Sequence, residues 1–157
     1  MKEIKQFGLI GRNIDYSFSR NYFTDKFNSI EKLSNCEYIN FDIKSIEEVN
    51  FIFDRKNLFG LNVTIPYKED IIDYLDEVDN LAHEIGSVNT ICFENQKKIG
   101  YNTDIIGFKK TLEINSLDNF DSVLILGSGG ASKTVESVSY THLRAHETSL
   151  HLVCRLL

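Results

Sequence analysis

Short apolar runs alternate with helical patterns from the N-terminus to Thr134, and this alternation restricts the chain to α/β architecture more tightly than any single motif does. "KQFGLIG" reads as a first strand. After it, Phe23, Phe27, Ile30 and Leu33 recur at helical spacing and make one apolar face. "CEYINFDI" alternates as a strand does, and "SIEEVNFIF" opens with Ser45 and Glu48 in capping-box register, which predicts a second helix. "LFGLNVTI" is the next strand and ends at Pro66, the one proline, which has no amide to donate. "SVNTICFE", the polar turn "NQKK" and "IGYNTD" predict a hairpin, and "DIIGFKKTLEIN" a helix. The expected fold is a βαβ-type, mostly parallel sheet with helices on both faces. A polar boundary, "NSLDNFD", then precedes a fresh start, in which a buried-type strand "SVLIL" leads into a glycine-rich turn and the beginning of a helix.

Composition narrows the function. A chain of 157 residues has room for one well-buried domain, or one domain plus the beginning of another. Its 42% hydrophobic and 11% aromatic content is that of a globular protein. The formal charge of -6 argues against nucleic acid or an anionic membrane as the main partner and favours a small soluble ligand. Cys36, Cys92 and Cys154 are few, odd in number and widely spaced, as buried thiols in a reducing compartment would be. No apolar run approaches membrane-spanning length and "MKEIKQFGLIG" lacks a signal-peptide core, so a cytoplasmic location is expected.

Polar residues concentrate in "DYSFS", "NVTIPYK", "SVNT" and "GYNTD", all at predicted strand ends, where open α/β sheets bind ligands. Each has an ordinary reading: Ser17 and Ser19 as helix caps, Thr64 as a strand residue, Asn89 as a turn residue. Together they suggest a site. A strand that leaves through Pro66 holds Lys68 on a rigid base, and a positioned lysine can transfer a proton. Asp104 would favour the charged form of that lysine, so the two form a coupled unit.

In order and spacing, "GLIGRNIDYSFS", "GLNVTIPYKE", "GSVNTI", "GYNTDIIGF" and "LILGSGGASK" resemble the shikimate dehydrogenases, from Phe7 to Lys133. The resemblance implies an NADP-dependent, reversible reduction of 3-dehydroshikimate to shikimate in aromatic amino acid biosynthesis. The substrate would lie between an N-terminal α/β domain and a Rossmann domain. It implies that Ser17 and Ser19 hold the substrate carboxylate, that Thr64, Asn89 and Asp104 hold its ring hydroxyls, and that Lys68 and Asp104 are the catalytic pair. One departure stands in the serine loop: the family usually has a proline after the second serine, where this chain has Arg20.

"GSGGASKT" has two readings. It nearly matches a phosphate-binding loop of nucleotide hydrolases through Gly127, Lys133 and Thr134, but Ser132 stands where that loop requires glycine. As a dinucleotide turn, Gly127, Ser128, Gly129, Gly130 and Ala131 place small residues between a strand and a helix N-terminus, suited to the pyrophosphate of NADP, with NAD not excluded.

The resemblance stops near Glu136, and "SVSYTHLRAHETSLHLVCRLL" is similar instead to translated adaptor read-through. The expected division is a shikimate-binding catalytic domain over 1–104, a connecting helix and boundary over 105–120, the start of a truncated Rossmann domain over 121–135, and a non-native tail over 136–157 that stays outside the fold. His142, His146, His151 and Cys154 in that tail superficially suggest a metal site, but nothing there would position ligands, and no metal is expected. A chain so divided would be inactive, which leaves a non-catalytic shikimate-binding fragment as the alternative to an enzyme.

Overall fold

The computed structural model describes residues 3–117 and 122–144, with side chains through position 140. The chain opens with strand β1 (Lys5–Gly11), helix α1 (Ser19–Ser29) and strand β2 (Cys36–Asp42). The predicted capping box at Ser45 and Glu48 is formed, and starts a 3-10 turn that runs into helix α2 (Val49–Phe53). Strand β3 (Leu58–Val63) follows, then a 3-10 turn (Asp70–Tyr74), the two-residue strand β4 (Glu77–Val78) and helix α3 (Asn80–Ile85). Strands β5 (Thr90–Glu94) and β6 (Lys97–Tyr101) form the hairpin. Its turn residues Asn95 and Gln96 both have positive φ, 50° and 65°, as tight two-residue hairpin turns require. Helices α4 (Asp104–Ile114) and α5 (Gly130–Arg144) complete the described elements.

The six strands lie in one mixed sheet of order β2-β1-β3-β5-β6-β4. β1 is parallel to both β2 and β3, β5 is antiparallel to β3 and to β6, and β4 is parallel to β6. Alternation along β1 divides the core between the two faces. Leu9 packs with Phe27 of α1 and with Tyr38, while the next residue, Ile10, packs with Val49 and Ile52 of α2 and with Leu61, Val63 and Ile91. Helices therefore cover both faces, as expected.

Two differences from the sequence reading concern the C-terminal part. "SVLIL" forms no strand, and Leu124 and Leu126 are 65% and 72% exposed. A single extended segment is stabilised only by a neighbouring ladder, and no described strand lies beside this one. Helix α5, conversely, passes position 136 without a break. Val138 is 1% exposed and packs with Ile85, Ile105 and Leu112, so part of the stretch expected to stay outside the fold is seated on α3 and α4. The cause is spacing: Thr134 and Val138, four residues apart, share one helix face and both are buried.

Val138→Asp should unseat α5, because it puts a carboxylate with no partner into that apolar cluster. Amide exchange over residues 130–144 is then expected to become fast while β3 stays protected. Unchanged protection of α5 would show that Val138 does not hold it.

Candidate active site at the sheet edge

Strand register gathers the polar motifs at one edge. Ile10 is level with Val63 across the parallel pair, so the loop after β1 and the segment after β3 leave the sheet side by side. Asn62 is level with Thr90, and Thr90 with Tyr101, so the start of β5 and the end of β6 reach the same edge. Backbone bonds continue past the strands: Thr64 N–H donates to the Ile10 carbonyl (2.8 Å), Val63 N–H to Asn89 (2.9 Å) and Asn89 N–H to Tyr101 (3.0 Å). Ser17, Thr64, Lys68, Asn89 and Asp104 all follow or precede these strand ends.

At the centre, the Lys68 Nζ lies 2.6 Å from Asp104 Oδ2, with the lysine side chain 14% and the aspartate 39% exposed. The other carboxylate oxygen accepts from Asn89 Nδ2 (2.7 Å), so both Asp104 oxygens have a donor. Asn89 is itself fixed. Its Oδ1 accepts from the Thr103 N–H (2.8 Å) and the Thr90 hydroxyl (3.0 Å), and its Nδ2 also donates to the Thr103 hydroxyl (3.0 Å). With both amide hydrogens committed, Asn89 can donate to a ligand hydroxyl only by releasing Thr103 or Asp104.

Lys68 has a rigid base. Its carbonyl accepts from Val88 N–H (2.8 Å). The preceding Tyr67 is 2% exposed, donates from its phenol to the Ile43 carbonyl (2.8 Å) and accepts from Arg12 Nε (3.1 Å). Ser17 and Ser19 form a hydroxyl pair 3.2 Å apart at the start of α1, and Ser19 N–H leans toward the Ser17 oxygen (3.4 Å). Thr64 touches the bare backbone of Gly11, where a methyl group would strike both Ile14 and Thr64.

The glycine turn lies next to Lys68. Gly127, Ser128, Gly129, Gly130 and Ala131, with Ser132, line a cleft of about 280 Å³ whose opposite wall is Ile65, Pro66, Lys68 and Glu69. Gly130 has no room for a Cβ, which would meet the Ser87 hydroxyl and Lys68 Cβ. That hydroxyl is buried without a partner among the described residues. Gly127 has φ 136°, a conformation that favours glycine. The turn thus brings bare backbone and the N-terminus of α5 to the cleft, which fits a pyrophosphate group. The nucleotide-hydrolase reading finds no support here. Lys133 is paired with Glu69, and the Thr134 hydroxyl is buried, donating to the Gly130 carbonyl (3.0 Å) and accepting from Asn102 (3.1 Å).

Thr90, Thr103, Asn62 and Tyr38 were not singled out in the sequence. Tyr38 donates to Asn62 Oδ1 (2.8 Å) and Asn62 Nδ2 to the Thr90 hydroxyl (3.4 Å), so a polar chain runs from beneath α1 to Asn89. Burial pushes the Tyr38 phenol up, which keeps it a neutral donor. Thr90 and Thr103 adjoin Asn89 and Asp104 in sequence, the only signal they carry. Among the described residues no cluster of three or more His, Cys, Asp or Glu is placed to hold a metal ion; the side chains of His142, His146, His151 and Cys154 lie outside them.

Comparison with known proteins gives the same direction. The family profile described as the shikimate dehydrogenase substrate binding domain matches residues 9–91. A shikimate dehydrogenase (NADP(+)) of Methanococcus maripaludis is 47% identical over 135 residues, covering 83% of this chain and 47% of that protein. The crystal structure of shikimate dehydrogenase 1 from Peptoclostridium difficile superposes with a TM-score of 0.77 at 34% identity, over 88% of this chain and 52% of that one. A Thermus thermophilus shikimate 5-dehydrogenase, solved with NADP(H) and shikimate, superposes with a TM-score of 0.73 at 28% identity, over 90% of this chain and 52% of that one. The chain spans about half the length of the curated relatives it matches. The profile match covers more than half the chain and takes in the serine loop, Lys68 and Asn89, so the chain belongs to the shikimate dehydrogenase family through its substrate-binding domain.

Proposed function

We propose that this chain supplies the substrate-binding and proton-transfer half of an NADP-dependent shikimate dehydrogenase, which interconverts 3-dehydroshikimate and shikimate in the cytoplasm. The observation that carries this is the Lys68–Asp104 pair, 2.6 Å apart at the sheet edge and adjoining the glycine-turn cleft. Residues 1–104 hold the substrate, 105–120 connect, and 121–135 begin the dinucleotide-binding part; 136–157 are foreign to the family.

NADPH, when bound, supplies the hydride to the ring carbonyl carbon, and Gly127 to Ala131 would hold its pyrophosphate; the same turn is compatible with NAD. Lys68 Nζ gives a proton to the carbonyl oxygen, which becomes the shikimate hydroxyl. In the oxidising direction the same nitrogen receives it. Asp104 keeps the ammonium aimed at that oxygen and takes part in holding the ring hydroxyls with Thr64 and Asn89. Asn89 does this by exchanging its bond to the Thr103 hydroxyl for one to the substrate. Ser17 and Ser19 meet the substrate carboxylate with neutral donors, so a chain of net charge -6 needs no cationic patch there.

The direct test joins residues 1–135 to the second half of the Methanococcus maripaludis relative. In that enzyme Lys68→Met should lower turnover about 100- to 10,000-fold, with a smaller effect on shikimate affinity. Turnover within about tenfold of the parent would remove Lys68 from proton transfer. The 157-residue chain by itself is expected to bind shikimate weakly and to show no NADP-dependent oxidation, since one glycine turn does not position a nicotinamide. Inhibitor-sensitive turnover by a pure sample would overturn this.

Asn89→Ala should cost about 1–3 kcal/mol in urea unfolding, because the Thr103 N–H and one Asp104 oxygen lose their partner. Asn89→Asp places a second carboxylate against Asp104 and is expected to be the less stable of the two at neutral pH. The repelled carboxyl binds its proton more tightly in the folded state, so the gap should close as pH falls. A gap independent of pH would rule out the repulsion.

A further inference from the structure

We propose that Asp42, at the end of β2, is a positioning residue for the serine pair and sets how strongly the site prefers a carboxylate-bearing ligand; this rests on Ser17 and Ser19 holding that carboxylate. Asp42 lies at the end of β2, outside the serine loop, so nothing in the loop's own sequence points to it.

The loop between β1 and α1 has three successive constraints. Asn13 takes a left-handed backbone, φ 55°, which turns the N–H groups of Asn13 and Ile14 toward β2. Asp42 accepts both, Oδ1 from Asn13 (3.0 Å) and Oδ2 from Ile14 (3.2 Å). Ile14, 0% exposed, is anchored on its other side by packing with Leu9, Phe27 and Tyr38. Its carbonyl then accepts the Ser17 N–H (2.9 Å), and the Ser17 hydroxyl donates to Ser19. The path from Asp42 to the two hydroxyls therefore consists of two charge-assisted bonds, one buried residue, one backbone bond and the bond between the hydroxyls. Neighbouring contacts fix the end of β2 itself: Ile43 N–H donates to the Gly11 carbonyl (3.0 Å), and Arg12 Nη2 to the Lys44 carbonyl (2.5 Å).

This explains how the loop keeps its shape with Arg20 after the second serine. The stiffness comes from a carboxylate clamp on the first part of the loop, where Asn13 and Ile14 have amide hydrogens to give.

A clamp that orders two hydroxyls before the ligand arrives lowers the cost of binding the group those hydroxyls meet, and no other. The discriminating experiment titrates the 157-residue chain with shikimate and with shikimate methyl ester, followed by NMR, in the parent, Asp42→Ala and Asp42→Asn. Asp42→Ala should weaken shikimate binding about 3- to 10-fold and leave the ester unchanged, and Asp42→Asn, which keeps one acceptor oxygen, should fall between. Amide exchange at Asn13, Ile14 and Ser17 should rise in the alanine variant. A general loss of structure would weaken both ligands equally, and that outcome overturns the proposal, as does unchanged shikimate affinity in Asp42→Ala. If the parent binds neither ligand while exchange at the three amides still rises on substitution, the clamp exists but the substrate reading fails, and the inference about affinity falls with it.

Discussion

β3 is hydrogen-bonded on both sides, to β1 in parallel and to β5 in antiparallel register, and the segments that carry Thr64, Lys68 and Asn89 meet at its end. An antiparallel neighbour reverses the chain, so the start of β5 lies level with the end of β3. This is why "SVNT", which precedes a strand, and "NVTIPYK", which ends one, meet although one enters the sheet and the other leaves it. A one-residue slip of β3 would exchange its faces, taking Leu61 and Val63 out of the cluster they share with Val49 and Ile52 and removing Asn62 from Thr90. The burial of Leu61 and Val63, 3% and 2% exposed, specifies the register, and the register places the polar residues.

Within that frame the Lys68–Asp104 pair is not an ordinary surface ion pair. The Lys68 ammonium is largely withdrawn from water against one carboxylate oxygen, and the Asn89 donor to the second oxygen limits how far Asp104 can turn away. Thr90 and Thr103 hold the Asn89 amide in the orientation that gives its N–H to Asp104 and its carbonyl oxygen to the loop. The pair is thus oriented by neutral groups, and the ammonium protons not directed at Asp104 remain for a ligand. Glu69, the next residue along, forms its own pair with Lys133 and joins the segment after β3 to α5. Two adjacent residues therefore connect the strand exit to two different helices, α4 through Asp104 and α5 through Lys133.

Periodicity made β1, β2, β3, the hairpin and α4 legible, because each buries one face or both against a neighbour that is also present. The candidate site was legible as a set of strand-end motifs, and Lys68, Asp104 and Asn89 do meet. What periodicity does not carry is the partner across the sheet. Nothing in "CEYINFDI" says that Tyr38 reaches Asn62 or that Asp42 takes two amides from another loop, since those contacts depend on strand order. "SVLIL" shows the complementary failure. Its composition is that of a buried strand, but a strand is a property of a pair, and with no described strand beside them Leu124 and Leu126 are exposed.

Helix α5 illustrates how little a packed helix says about ancestry. Asn102 ties its first turn to the hairpin through the Ser87 carbonyl and the Thr134 hydroxyl, with all of these groups buried. Once that turn is seated, continuing a helix adds a backbone bond per residue at modest entropic cost, whereas starting one is unfavourable. Any following sequence that avoids proline and places an apolar side chain four residues after Thr134 can be drawn along. "VESVSY" meets both conditions, through Val138. The cluster of Ile85, Ile105 and Leu112 accepts a branched apolar side chain of suitable size irrespective of its origin. Seating of residues 136–140 on α3 and α4 therefore carries no information about where that stretch came from, because α3 and α4 supply the surface and the glycine turn supplies the helix start.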